Sequence, residues 1–281
     1  MNRKGLTLIE LMIALAIVSV LVAGIYRTFA SQQHTYAVQE QVVDMQQNLR
    51  MAVSQMMREL RMAGFGRPDV KMYGPDGMHG VYKNVVTPLD DGTGVTIVGG
   101  FQQVATVATA AKSGETKLLL SDASGFDLDK RQYLCINGTE SHRIKSITGN
   151  EIVFYSNNGT NDNDGELTED HYAGEPVFRM LAVTYSIGTS EGKTCLLRDD
   201  NLGAGPQPVA ENIESLRFRY VMANGDVLDV VPANRRDETR MIQVTLVART
   251  DKTDPELDKV GDGYRRRTVT SNIQVRNLGF L

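Results

Sequence analysis

An uninterrupted apolar run from Leu6 to Ile25, carrying a single charge at Glu10, constrains this chain more than anything that follows it. About 20 apolar residues suffice to cross a bilayer as an α-helix, and a helix satisfies its own backbone hydrogen bonds inside lipid. Glu10 is the fifth residue of the run. A carboxylate near the bilayer centre costs about 2.5–3.5 kcal/mol, so it persists there only where something pairs with it. A cut between Gly5 and Leu6 would create an α-amine able to neutralise Glu10 of a neighbouring chain. The carboxylate would then dock helices side by side.

Two simpler accounts explain less. A secretory signal peptide has a basic start, 7–15 apolar residues and a small-residue cut site. Thr28-Phe29-Ala30 offers such a site, but Glu10 interrupts the apolar stretch and Arg27 sits just before the cut. A plain signal anchor accounts for the span but not for Glu10. Thr7 and Glu10 also have the spacing of a helix capping box, a role compatible with docking. Arg3 and Lys4 precede the span, which places the N-terminus in the cytoplasm and everything after Arg27 outside it.

Residues 3–30 resemble the class III leader of type IV pilins and pseudopilins. The basic leader Met1–Gly5 ends in Gly, Leu6 stands where that family usually has Phe, and Thr7-Leu8-Ile9-Glu10 opens the apolar tail. The resemblance implies that an inner-membrane prepilin peptidase cuts after Gly5 and N-methylates Leu6. It also implies that Thr7 and Glu10 serve assembly with other minor and major pilins.

The helix is predicted to continue past the membrane. Val38, Val42, Met45, Leu49, Ala52, Met56, Leu60 and Ala63 recur at steps of four and three, with Gln39, Glu40, Asp44, Gln46, Asn48, Arg50, Arg58 and Arg61 between them. That is an amphipathic stripe built to pack on a globular domain. The first proline is Pro68, and Gly64-Phe65-Gly66 supplies the stop near Met62.

Beyond Gly66 the pattern is β. Strands are predicted at Thr93–Val98, Thr116–Leu120, Gln132–Ile136, Arg143–Ile147, Glu151–Tyr155, Val177–Ile187, Thr194–Leu197, Ser215–Met222, Met241–Arg249 and Arg267–Arg276. Gly, Asn and Asp turns separate them. Ile242, Val244, Leu246 and Ala248 alternate with Gln243, Thr245 and Arg249, and Leu216, Phe218 and Tyr220 with Arg217 and Arg219. This is antiparallel sheet with one buried face. Residues 101–175 read as an inserted set of small hairpins. The expected fold is α+β and pilin-like: a leader (1–5), a long helix (6–63, with 6–25 transmembrane), and an exported β-rich domain (64–281).

The order Val209–Tyr220, Met241–Arg249, Arg265–Gly279 is similar to PilW-like minor pilins of the type IV pilus. It also resembles the related J-type minor pseudopilins of type II secretion, although the 281-residue length and the large insertion favour the pilus. The resemblance implies a minor pilin that primes or helps assemble the filament, anchored once in the inner membrane with its C-terminal domain in the periplasm. A membrane-tethered periplasmic enzyme or binding domain is the alternative from another class.

No nucleic-acid contact is expected at a net charge of −4, with 6% aromatic residues and no Trp. G-x-S-x-G, H-E-x-x-H and phosphate-loop motifs are absent, so no enzyme and no cofactor are expected. His34, His79, His142 and His171 lack metal-ligand spacing and read as surface residues. Clustered oxygens around Asp162, Asp164 and Glu166 are of the kind that holds Ca²⁺. However, Thr160 and His171 fall at the first and last places of an EF-hand template, and a solvated turn explains the same composition. Cys135 and Cys195 could close a disulfide in an oxidising periplasm, or remain two buried thiols in neighbouring strands. The acidic loop Asp251–Asp258 is expected to pair with Arg265, Arg266 and Arg267, or to meet another pilin.

Overall fold

The computed structural model describes residues 8–66, 78–79, 81–82, 84–89, 92–155, 165–255, 257–259, 261–275 and 277. Helix α1 covers Leu8–Met62, 55 residues, or about 83 Å at 1.5 Å per residue. Its hydroxyls do not break it: Ser19, Thr28 and Thr35 each donate back to the carbonyl one turn earlier, at 2.8, 3.1 and 3.0 Å. Arg61 complements the helix dipole in the last turn. Gly64 and Gly66 then take left-handed conformations, φ +77° and +93°, which end the helix where the sequence predicts.

The chain divides into two compact units, residues 1–47 with 250–265, and residues 48–249 with 266–281. In the first unit the loop 250–265 lies on α1. The Lys252 amide donates to Gln41 Oε1 (3.2 Å), and His34 Nε2 is 3.7 Å from Asp254 Oδ1. Arg265 reaches the same Asp254 carboxylate through Nη2 at 2.6 Å.

The second unit holds β1 (Val86–Pro88), β2 (Val95–Thr106), β3 (Lys117–Leu119), β4 (Tyr133–Ile136), β5 (Glu140–Thr148), β6 (Glu151–Phe154), β7 (Pro176–Ser190), β8 (Lys193–Asp199), β9 (Gln207–Glu211), β10 (Ile213–Met222), β11 (Val227–Leu228), β12 (Thr239–Arg249) and β13 (Arg266–Gln274). All named pairings are antiparallel. One sheet runs β1-β2-β7-β4-β5-β6-β3, with β8 and then β9 added beside β7, and the second runs β11-β10-β12-β13. In the second sheet Leu216, Phe218 and Tyr220 stand opposite Leu246, Val244 and Ile242. All six are buried, so the predicted alternation sets the core face. Each predicted strand is present, with shifted ends. The short β1, β9 and β11 escaped prediction, since two to five residues with Pro88 and Pro208 show no alternation.

Leu49, Ala52, Met56, Leu60 and Ala63 carry the helix stripe into this unit, each 3% exposed or less. Past the helix end the Gly64 amide donates to Val98 O (2.8 Å) and the Gly100 amide to Phe65 O (3.0 Å). Phe65 lies edge-on to Phe178, 5.0 Å between ring centres. The helix stop is thus stitched to β2.

Strand β2 runs on to Thr106, so the main sheet reaches into the first residues of the insertion. The insertion has its own core, with Leu118, Leu120, Phe126, Ile144, Ile152, Phe154 and Leu167 packed on Leu134, Ile136 and Val177. Strand β4 ties it back to the main sheet, Cys135 standing opposite Phe178.

Candidate functional site

From Leu8 to Ile25, Glu10 apart, α1 is apolar all the way round, and every face of this stretch is exposed. Leu8 is 77% accessible, Leu15 59%, Val20 73% and Ile25 68%. These positions sweep the full circumference of the helix, so only lipid or other chains can cover them. The segment is long and apolar enough to cross a membrane. Glu10 lies in its first turn, where the positive end of the helix dipole favours a carboxylate. Gly5, Leu6 and Thr7 lie outside the described residues.

Residues 1–26 match the family described as the prokaryotic N-terminal methylation motif. The chain has a type IV pilin-like N-terminus. This motif, with the apolar helix, fits a single-pass inner-membrane anchor, and it implies processing by a prepilin peptidase and assembly with other pilins. No curated protein matches the chain. Among solved structures, the type IV-like pilin TTHA1219 from Thermus thermophilus aligns over 83% of this chain and 97% of its own. Identity is 12% and the TM-score 0.32, too slight a likeness to argue from.

The structure separates the two cysteines. Both are buried and free. Cys135 on β4 faces Phe178, and Cys195 on β8 faces Gly188, ten residues further along the same edge of β7. At about 3.3 Å per residue that is roughly 30 Å, far beyond disulfide reach. Burial pushes the Cys135 thiol up to about 12. Of the two readings open in the sequence, the disulfide is excluded.

The other polar candidates are sorted by geometry. Asp162 and Asp164 lie outside the described residues, and Glu166 is half-buried. Among the described residues no cluster of three or more His, Cys, Asp or Glu could hold a metal ion. Of the arginine triplet, Arg265 pairs with the acidic loop as expected, but Arg266 binds Glu214 instead, Nε to Oε2 at 2.6 Å. Strand β13 begins at Arg266, so that side chain follows the sheet rather than the loop.

Two histidines correct the surface reading. His142 is 3% exposed and His171 2%, and both meet Glu140, itself 3% exposed. His171 Nε2 is 2.8 Å from Glu140 Oε1, and its Nδ1 is 2.7 Å from Glu175 Oε2. The amide and hydroxyl of Thr168 donate to Glu140 Oε2. His142 Nε2 lies 3.4 Å from Glu140 Oε1 without forming an aligned hydrogen bond, and its ring stacks on Phe154. Burial disfavours a charged Glu140, but the contacts from His142, His171 and Thr168 outweigh it and hold the carboxyl well below the usual range. The sequence signal was Glu140-Ser141-His142 on one strand and His171…Glu175 four positions apart. Neither pair is informative until the hairpins bring them together.

Proposed function

We propose that this chain is a PilW-like minor pilin that primes or helps assemble a type IV pilus. The observation that carries the reading is the exposed apolar stretch of α1, with Glu10 in its first turn, inside a segment that matches the methylation motif. The peptidase removes Met1–Gly5, and the helix holds the protein in the inner membrane until it enters the filament. Glu10 then pairs with the α-amine of an adjacent subunit and sets axial register. The β-rich part lies in the periplasm, facing other minor pilins, and acts as a structural subunit rather than an enzyme.

The test is the intact mass and N-terminal sequence of membrane-extracted protein, with and without the prepilin peptidase. A mature terminus at Leu6 that depends on the enzyme supports the reading, and an intact Met1 overturns it. Recovery in sheared pili, or instead in a secretion filament, then decides between minor pilin and minor pseudopilin.

A further inference from the structure

The segment Gly165–Glu175 closes the insertion. Its amides report how it is held: Leu167 donates to Glu115 O (2.8 Å), Thr168 to Glu140 Oε2 (2.8 Å), His171 to Ala111 O (2.9 Å) and Gly174 to Val107 O (2.8 Å). At its centre His171 is buried with a carboxylate oxygen on each ring nitrogen, at 2.8 and 2.7 Å. A neutral imidazole carries one N–H, so it can donate to only one of two ionised carboxylates, whereas an imidazolium donates to both. Buried between two negative groups, the ring satisfies both only when charged.

We infer that His171 is an imidazolium clamp, fastening the 165–175 segment to β5 through Glu140 while Glu175 of the same segment holds the other ring nitrogen, and that loss of its proton releases the segment. The groups that face the clamp all fit this role. From β5 come Glu140 and His142, and from the segment itself Thr168, Glu175 and Asp170. Asp170 is already neutralised by Lys112 Nζ at 2.7 Å, on the arm that also carries Glu115. From β4 the Cys135 thiol lies near Glu140 and is un-ionised. No second cation in this set can replace the charge on His171 without rearrangement, since Lys112 is spoken for and His142 lacks the alignment.

The direction of the pH response follows. Burial works against a charged His171, but the hydrogen bonds to Glu140 and Glu175 prevail and raise it above 6.5, its ordinary value. The clamp is therefore fully present below about pH 6.5 and is lost as the pH rises through the higher folded-state value.

Hydrogen exchange read by mass spectrometry on the full chain in detergent tests this, after correction for the intrinsic pH dependence of exchange. Between about pH 6 and about pH 9, protection of peptides covering 165–175 should fall by about tenfold or more, while β12 stays unchanged. In His171→Gln the step should vanish, and in Glu175→Gln it should move to lower pH. A flat wild-type profile, or the same step in His171→Gln, overturns the clamp. Should His171→Gln lose β12 protection, the wild-type profile and the Glu175→Gln shift decide alone.

Discussion

Arg198 holds Glu59 across the helix–sheet interface: Arg198 Nε lies 3.1 Å from both carboxylate oxygens, and Nη2 lies 3.0 Å from Oε1. Tyr185 donates to the same carboxylate at 2.7 Å. The apolar stripe of α1 fixes which face is buried, but a stripe slides and rotates easily. This three-residue contact sets the rotation, because only one azimuth brings Glu59 to both partners.

Glu59→Gln should therefore destabilise the β-rich unit by about 2 kcal/mol, since it strands a half-buried guanidinium beside a buried phenol. Glu151→Gln, which breaks the exposed pair with Lys117, should change stability by less than about 1 kcal/mol. Chemical denaturation of the detergent-solubilised chain, followed by circular dichroism, separates the two. Equal effects would remove the Glu59 contact with Arg198 and Tyr185 from the account.

Why some of this was legible in the sequence and some not follows from range. Leu216–Tyr220 and Ile242–Ala248 announce their buried face because alternation is local and each position acts alone. The helix stripe is legible for the same reason. Glu59 stands out in no local pattern, since its meaning depends on Tyr185 and Arg198, 126 and 139 positions away. In the sequence His142 and His171 look like surface residues, because the Glu140 carboxylate becomes a buried partner only once β5 and the 165–175 segment come together. The sequence leaves the two cysteines open between a disulfide and two buried thiols for the same reason: both strands border β7, but where along it they land depends on the register of a 15-residue strand.

Gly66 and Gly149 both occupy left-handed backbone, φ +93° and +60°, but in different surroundings. A Cβ at Gly149 meets nothing within 4 Å, whereas one at Gly66 would sit 2.7 Å from Cys135 Sγ and 2.8 Å from its Cβ. Gly149→Ala should cost about 1–2 kcal/mol, the backbone strain alone. Gly66→Ala should cost about 2 kcal/mol more, because the helix end must also back away from β4. Comparable melting temperatures for the two variants would show that the contact between residues 66 and 135 yields freely.

Both thiols should resist alkylation in the native chain at about pH 8, with complete labelling after denaturation. Cys135 is buried and its thiol is pushed up to about 12, so almost no thiolate exists to react. Cys195 is likewise buried, and burial raises its thiol too. Non-reducing peptide mapping should find no link between them. Rapid native labelling of either one would contradict its burial.

Glu140 gives the insertion an acid limit. Its folded-state carboxyl lies below 4.5, its ordinary value, so its contribution is complete above about pH 4.5 and is lost as the pH falls through the lower folded-state value. Glu140→Gln should cost about 3 kcal/mol near pH 6, where it leaves the buried His171 charge without half its partners. The gap between wild type and variant should narrow as the pH drops below about 4. A gap that stays constant down to about pH 2 would mean that the Glu140 charge does not contribute.

Glu10 separates anchoring from assembly. A carboxylate in a spanning helix opposes insertion by about 2.5–3.5 kcal/mol near the bilayer centre and by less towards the interface, where a first-turn residue lies. Glu10→Ala and Glu10→Gln should therefore insert at least as well as the wild type, with equal yield in the membrane fraction. If Glu10 docks the α-amine of an adjacent subunit, both variants lose the attraction that draws this helix into register, and both should fall sharply in sheared filaments. Glu10→Asp keeps the charge on a shorter arm and should recover part of the wild-type level. Cleavage after Gly5 should proceed in all three, so their mature masses on the membrane are a built-in control for processing. Wild-type filament incorporation by Glu10→Ala would leave the carboxylate without the role proposed for it, whatever the processing shows.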